Sequence, residues 1–453
     1  VCSTGPAGTI TDGGSNPNEL PTKMTEYDRW GNPAKVTETA NGVTRTTVST
    51  YDGAGRVKQT QVAGGIGTAV PAQTTTYDTA SGDVATASRG TATITHTTDL
   101  LGREIAYDDG AGNVSHTEYD SRGRKIRVTD SAPSTVTYDY DNPAGLPSRV
   151  HDSVMGSIGD VTGSYDSDGR LYKEVLPWNM NVEFDLDPTG SETSRYWHWE
   201  SGWTVQGEST SQNIHDQVGS RAVYTGGGAY QEYTYDAAGR LTKADDSEAG
   251  VTTHRAYTFD DNTNRKALTT TIDDVDGGTP TTNTDNYAYD SADRLTASGT
   301  VYDAFGRTTA QADGTQNAYY TNDLVRQITA NNKRTTWNLD AAGRLASQTT
   351  EEQAEDGTWG SADTQTNHYG DDEDNPIWTT GSNGAISRSL EDLAGNLIAT
   401  TSATGDVVLQ LSNLHGDRVA VDVRTRLPSP GVAGIRRCPW GSSMSPGFRR
   451  WCP

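Results

Sequence analysis

Tyr235-Asp236-Ala237-Ala238-Gly239-Arg240-Leu241 decides how this chain is read, because the same pattern returns along most of its length. Close copies stand at Tyr51-Asp52-Gly53-Ala54-Gly55-Arg56-Val57, Tyr165-Asp166-Ser167-Asp168-Gly169-Arg170-Leu171 and Tyr302-Asp303-Ala304-Phe305-Gly306-Arg307. Looser copies begin at Tyr27, Tyr119 and Leu339. Asp, two variable residues and Gly mark a type I turn closed by a left-handed residue. The Asp side chain bonds the backbone two residues on, and Gly takes positive φ without steric cost. Such a loop joins two antiparallel strands and carries a bulge. The flanks agree: Arg45-Thr46-Thr47-Val48-Ser49-Thr50 before the turn and Val57-Lys58-Gln59-Thr60-Gln61-Val62 after it place Thr and Val at the two-residue period of a half-buried strand. Each unit therefore reads as strand, turn, strand. A chain built from one copied unit is an array, more often scaffold, surface or container than active site.

Tyrosine anchors are expected at positions 27, 51, 77, 119, 138, 165, 235, 289, 302, 320 and 369, with degenerate copies near Thr98, Phe184, Phe259, Leu339 and Glu391. The stretch from 185 to 234 reads as irregular. Uneven steps suit hairpins winding into one long sheet better than identical solenoid coils. Helical patterns are absent, since Gly or Pro interrupts nearly every window. Hydrophobic content is 32%, with 21 Tyr against 4 Phe and 4 Met, too little greasy side chain for a compact core of 453 residues. A broad sheet has more surface per residue, and Tyr is expected to lie on it with its hydroxyl in water.

The net charge of −24 disfavours nucleic acid or an anionic membrane as partner. No apolar run is long enough to span a bilayer as a helix. The opening at Val1, without initiator Met or signal peptide, reads as an excerpt from a longer polypeptide. Cys2, Cys438 and Cys452 are the three cysteines, so the body holds no disulfide framework and no thiolate metal site. Three regions follow: an irregular lead-in over 1–24, a repeat body over 25–422 and a basic tail over 423–453. The tail has six Arg and no Lys, Asp or Glu, which leaves the body at about −30. It reads as the product of a shifted reading frame rather than as a native basic tail that docks on the acidic body.

No catalytic, cofactor-binding or metal-ligating set stands out. Most Asp residues are accounted for by turns, so no carboxyl pair is singled out for glycoside hydrolysis. Asp371-Asp372-Glu373-Asp374 and Asp273-Asp274-Val275-Asp276 fit no Ca²⁺ loop spacing. The eight His form no ligand or triad spacing. The densest aromatic cluster runs Arg195-Tyr196-Trp197-His198-Trp199-Glu200-Ser201-Gly202-Trp203, with Trp178 upstream. Trp197, Trp199 and Trp203 form a candidate glycan platform, with Arg195 and Glu200 to bond hydroxyls. The competing reading has Tyr196, His198 and Glu200 on one face and Trp197 and Trp199 packed on the wall.

The Tyr-Asp-x-x-Gly-Arg-Leu/Val unit resembles the Rhs, or YD-repeat, family over residues of about 25 to 422. Asn413-Leu414-His415-Gly416-Asp417 looks like the segment members carry shortly before their terminal core. The family includes bacterial Rhs and wall-associated proteins, the toxin-enclosing component of insecticidal Tc complexes and animal teneurins. The resemblance implies an all-β fold: a long antiparallel sheet of repeated β-hairpins winding into a spiral shell or barrel-like wall. In bacterial members the shell usually encloses a C-terminal toxin, which many release through an aspartyl autoprotease. This chain lacks the expected core segment after Asp422. Asp187-Pro188-Thr189-Gly190 lies mid-chain and reads as an ordinary turn, so no autoprotease residue carries over. The expectation is a non-enzymatic shell segment, without cofactors, of a large secreted or surface bacterial toxin. Its partners would be cargo polypeptide and further shell segments or a second copy. A cell-surface carbohydrate-binding or adhesion module is the alternative, and a glycoside hydrolase comes third.

Overall fold

The computed structural model describes residues 22–424 apart from 157–158, 201, 203, 225–227, 275–276, 291 and 402–405. Beyond that span it describes the strands Cys2–Thr4, Thr9–Thr11, Pro17–Glu19 and Gly434–Arg437. Nearly every element is a strand; the one helical element among the described residues is a single 3-10 turn at Pro177–Asn179. From Thr22–Tyr27 to Thr281–Asn286 each strand pairs antiparallel with the next in sequence, a meander that belongs to a 24-stranded sheet. A second, 13-stranded sheet runs in the same way from Val301–Tyr302 onward. The bulges expected at the repeat turns are present as register shifts between Thr50 and Tyr51, Ser164 and Tyr165, Thr234 and Tyr235, and Val301 and Tyr302.

The second sheet lies along the edge of the first. Hydrogen bonds join residues 215 to 278 apart in sequence, and the partner numbers rise together. The series runs from Thr68 with Tyr319, through Tyr107 with Arg344, Asp109 with His368 and Asp130 with Arg388, to Trp197 with Ser412. The wall therefore makes one circuit and begins another in the same sense. The chain exposes 25796 Å². A compact protein of its mass would expose roughly 16,600 Å². Most strands are covered on neither face strongly enough to bury a continuous core. The larger exception lies where Ile386–Glu391, Leu397–Thr401 and Val407–Ser412 bring Leu390, Ile398, Val407, Leu409 and Leu411 against Val150, Leu176, Met180, Val182 and Trp197 of the first circuit, and a smaller one joins Ala87, Ile94 and Tyr107 to Ala341 and Tyr369.

Two sequence expectations change. The stretch from 185 to 234 holds four regular strands, Glu192–Trp199, Thr204–Gln212, Val218–Val223 and Ala229–Tyr235. Its turns were hidden because Asn213 takes the Asp role and Asp216, at φ 57°, takes the Gly role. The anchor expected at Tyr138 is Tyr140, and the one expected at Tyr320 is Tyr319, since Tyr320 itself occupies the Asp position of its turn. Ahead of residue 25 the described strands are Cys2–Thr4, which pairs with Thr22–Tyr27, and the short pair Thr9–Thr11 and Pro17–Glu19, while the tail beyond 424 is described only at Gly434–Arg437.

Candidate functional site: the repeat latch and the seam of the wall

In the copy at Asp52, the carboxylate Oδ1 accepts the N–H groups of Ala54 and Arg56 at 2.9 Å each, and Oδ2 accepts Arg56 Nε at 2.8 Å. Gly55, at φ 81°, donates its N–H to Asp52 O at 3.1 Å. The Arg56 backbone and side-chain donors hold the Asp52 carboxyl below its ordinary range. The copies at Asp166, Asp236 and Asp303 repeat this turn, with Gly169, Gly239 and Gly306 left-handed and Arg170, Arg240 and Arg307 donating backbone N–H to the carboxylate.

Tyr and Arg do more than their place in the pattern shows. Tyr51 OH donates to Pro33 O at 3.0 Å, Tyr165 OH to Pro147 O at 2.7 Å and Tyr235 OH to Val218 O at 2.8 Å. The hydroxyls expected in water thus tie each repeat back to the one before it. Tyr302 does the same with Leu295 O at 3.0 Å. Forward, the Arg56 guanidinium lies 4.0 Å from the Tyr77 ring centroid, Arg240 lies 4.8 Å from Phe259 and Arg307 lies 4.8 Å from Tyr319. The Asp closes the turn; Tyr and Arg fasten consecutive turns into a rim.

The repeat turns line one rim of the wall and the plain hairpin turns line the other. The second circuit sets its repeat-turn rim on the plain rim of the first. Thr68 N donates to Tyr319 O and Thr321 N to Thr68 O, both at 2.9 Å. The close approach requires Gly67, at φ 106°, where a Cβ would strike the Tyr319 carbonyl. Arg45 reaches Thr321 O at 2.9 Å and Asp323 at 2.5 Å, while its other amino group holds Glu38 at 2.7 Å. Arg344 binds Asp340 within its own turn and donates to Tyr107 OH at 2.6 Å across the seam. Arg388 makes a bidentate pair with Asp130, both bonds at 2.7 Å, and donates to Ala132 O. Asn113 Nδ2 donates to Tyr369 O at 2.7 Å, and Trp378 Nε1 donates to Asn113 Oδ1 at 3.2 Å. Leu393 sits directly over Gly163, where a Cβ would collide with its side chain.

Buried ionisable groups concentrate here. Burial drives the Glu174 carboxyl up to about 8, with Asp392 adding to the effect, and Leu393 N–H donates to it at 3.1 Å. Burial also pushes Asp109 up, but His368 and the N–H groups of Asn113 and Ala111 outweigh it and hold this carboxyl below its ordinary range. His368 stacks on Trp378 at 3.6 Å. His96 is raised by its hydrogen bond to Glu104 and reaches across the seam toward Asp372 at 3.7 Å.

Two residues of the candidate glycan platform lie at this seam. Trp197 is 2% exposed within the apolar cluster and donates Nε1–H to Ser412 O at 3.1 Å. Trp199 packs on the same cluster, as the competing reading has it. Trp203 lies outside the described residues. Arg195 is taken up by Ser412 and Glu192, and Glu200 accepts from Asn179 at 3.0 Å. In the acidic loop near Asp371, the carbonyls of Asp371 and Glu373 accept from Arg344. Among the described residues no group of three or more His, Cys, Asp or Glu is arranged to hold a metal ion.

In sequence the chain matches no known family signature, and no curated protein matches it. In fold it is similar to solved Tc toxin assemblies. The TcdB2-TccC3-TEV structure superposes with a TM-score of 0.67 at 14% identity over 90% of this chain and 24% of that one. TcdB2-TccC3 without its hypervariable C-terminal region gives 0.68 at 15% identity over 89% and 24%. The Photorhabdus luminescens Tc holotoxin pore gives 0.66 at 15% identity over 90% and 23%. The chain thus spans about a quarter of the length of the structures it resembles. At this identity the likeness shows a shared fold.

Proposed function

We propose that this chain is a length of non-enzymatic container wall from a secreted or surface-exposed bacterial toxin, and that the space it curves around holds polypeptide cargo. The observation that carries the reading is the seam. The second sheet closes on the first through backbone bonds, buried ion pairs and apolar contacts, which is what a wall needs and a binding platform does not. The likeness to Tc toxin shells supports it. The chemistry of the side chains points the same way, because Asp52, Asp109, Glu174 and His368 are engaged in turns and across the seam.

The test is a protease-protection assay on the chain carrying an unstructured polypeptide fused after its last residue. Digestion of the fused segment much more slowly than of the same polypeptide alone supports containment. Equal rates, with the wall intact, overturn it.

A further inference from the structure

The two rims of this wall are chemically different, and one surface of each is used. In the seam, the first variable residue of three repeat turns points into the circuit below: Thr321 is 4% exposed, Ala341 is 0% exposed, and Leu393 is seated on Gly163. The repeat-turn rim of the first circuit carries the same turns, and at several of them no described residue covers the tip. There Leu100 is 103% exposed and Ile214 is 93% exposed, both at the position Leu393 occupies in its turn. Leu101 and Trp30 follow at the second variable position, 78% and 75% exposed. Turn positions tolerate polar residues freely, so large apolar side chains at these tips need a partner surface to be other than a liability.

We propose that the free repeat-turn rim, from the turn at Asp28 to the turn at Asp260, is a docking surface for the plain hairpin rim of a second copy of this chain, stacked head to tail. The partner surface is specified by the seam itself. A plain rim receives repeat turns through close-approach glycines, outward carbonyls and carboxylates, as Gly67, Ile66 O and Asp130 do here. The chain retains plain rim that its own second circuit does not cover, including exposed Glu248, Glu355 and Asp356, while the free repeat rim presents exposed Arg29 and Arg122. A copy added this way continues the spiral, and the contact is heterologous, so its growth is open-ended.

This inference rests on the reading of the chain as wall, and the experiment separates the two. Sedimentation of the full chain from about 1 to about 100 µM should show a weight-average mass rising with concentration above the 48.5 kDa of one copy. Leu100→Asp with Ile214→Asp, both at exposed turn tips, should weaken association about tenfold or more. Val48→Ser, at a mid-strand position away from the rims, should leave it unchanged. Far-ultraviolet dichroism of each variant checks that the strands persist. A mass that stays at one copy throughout overturns the docking surface and leaves the wall intact. Association that persists undiminished in the double variant overturns it too, and assigns self-association to the unpaired edge strands. Loss of protease protection without any change in association would instead count against the container reading.

Discussion

The same turn lives in two environments in this molecule. On the free rim, the Asp52 and Arg56 side chains keep 19% and 37% of their surface in water, and those of Asp120 and Arg124 keep 20% and 26%. On the stacked rim, the figures are 7% and 9% for Asp303 and Arg307, and 8% and 7% for Asp340 and Arg344. Internal geometry barely changes: Asp Oδ1 to Arg N is 2.9 Å in the copy at Asp52 and 2.8 Å in the copy at Asp340. The motif is thus a local device that folds a hairpin wherever it stands. What differs is what its Arg and its variable residues are asked to do once another circuit lies beneath. One pattern serves as turn on both rims and as mortar on one.

The largest effect that sharpens this contrast is expected at Arg388. Both it and Asp130 are 4% exposed, so Arg388→Met leaves a buried carboxylate without its bidentate partner. That change should cost about 3–5 kcal/mol. The cost should appear as early urea unfolding of the strands from 386 to 412, read by hydrogen exchange, since an array unfolds in segments. A loss spread evenly over both circuits would break the account of the seam.

A paired substitution tests the two rims directly. Asp340→Ala strands Arg344 beneath Tyr107 and should cost about 3 kcal/mol. Asp52→Ala removes the same bonds on the free rim, where water replaces them, and should be much milder. Equal shifts in the urea midpoint would mean that stacking adds nothing to the motif.

Glu174 adds a pH signature that the free rim lacks. Its folded value of about 8 lies above the ordinary 4.5, so between these values the folded wall holds a proton that the unfolded chain has released. Stability from this group therefore falls as pH rises from about 4.5 to about 8 and levels off beyond. Glu174→Gln should flatten that part of the profile and be more stable than the parent near pH 9. Parallel profiles would remove Glu174 from the seam's energetics.

The smallest effect is expected at Gly163. Gly163→Ala pushes against Leu393 and should cost about 1–3 kcal/mol, confined to the second circuit. Adding Leu393→Ala should recover most of that loss, and an unrelieved double variant would argue against the contact.

Local structure was legible in the sequence because it is local. Asp236, Gly239 and their neighbours state a turn and a bulge within a few residues, and the flanking Thr and Val state strands. Legibility failed where chemically similar residues substitute, as with Asn213 and Asp216, and where two tyrosines compete, as with Tyr138 and Tyr140. The seam was not legible at all. Its partners lie 215 or more residues apart and follow no spacing rule, because circuit length is set by the summed twist and width of many strands. Trp197 shows the consequence: an aromatic-rich segment admits both a surface platform and packing on the wall until the strand that covers it, Val407–Ser412, is placed. The roles of Tyr and Arg were half visible. Their recurrence marked them as needed, but only the neighbouring repeat shows that Tyr165 reaches back to Pro147 and Arg56 forward to Tyr77.

The most direct test of the stacked spiral is amide hydrogen exchange compared turn by turn within one sample. The repeat turns at 52–55 and 120–123 belong to the free rim, and those at 303–306 and 340–343 to the seam. The account predicts rapid exchange at the tips of the first pair and protection by orders of magnitude at the tips of the second. Equal exchange at all four would mean that the second circuit does not rest on the first, and the wall as described would fall with it.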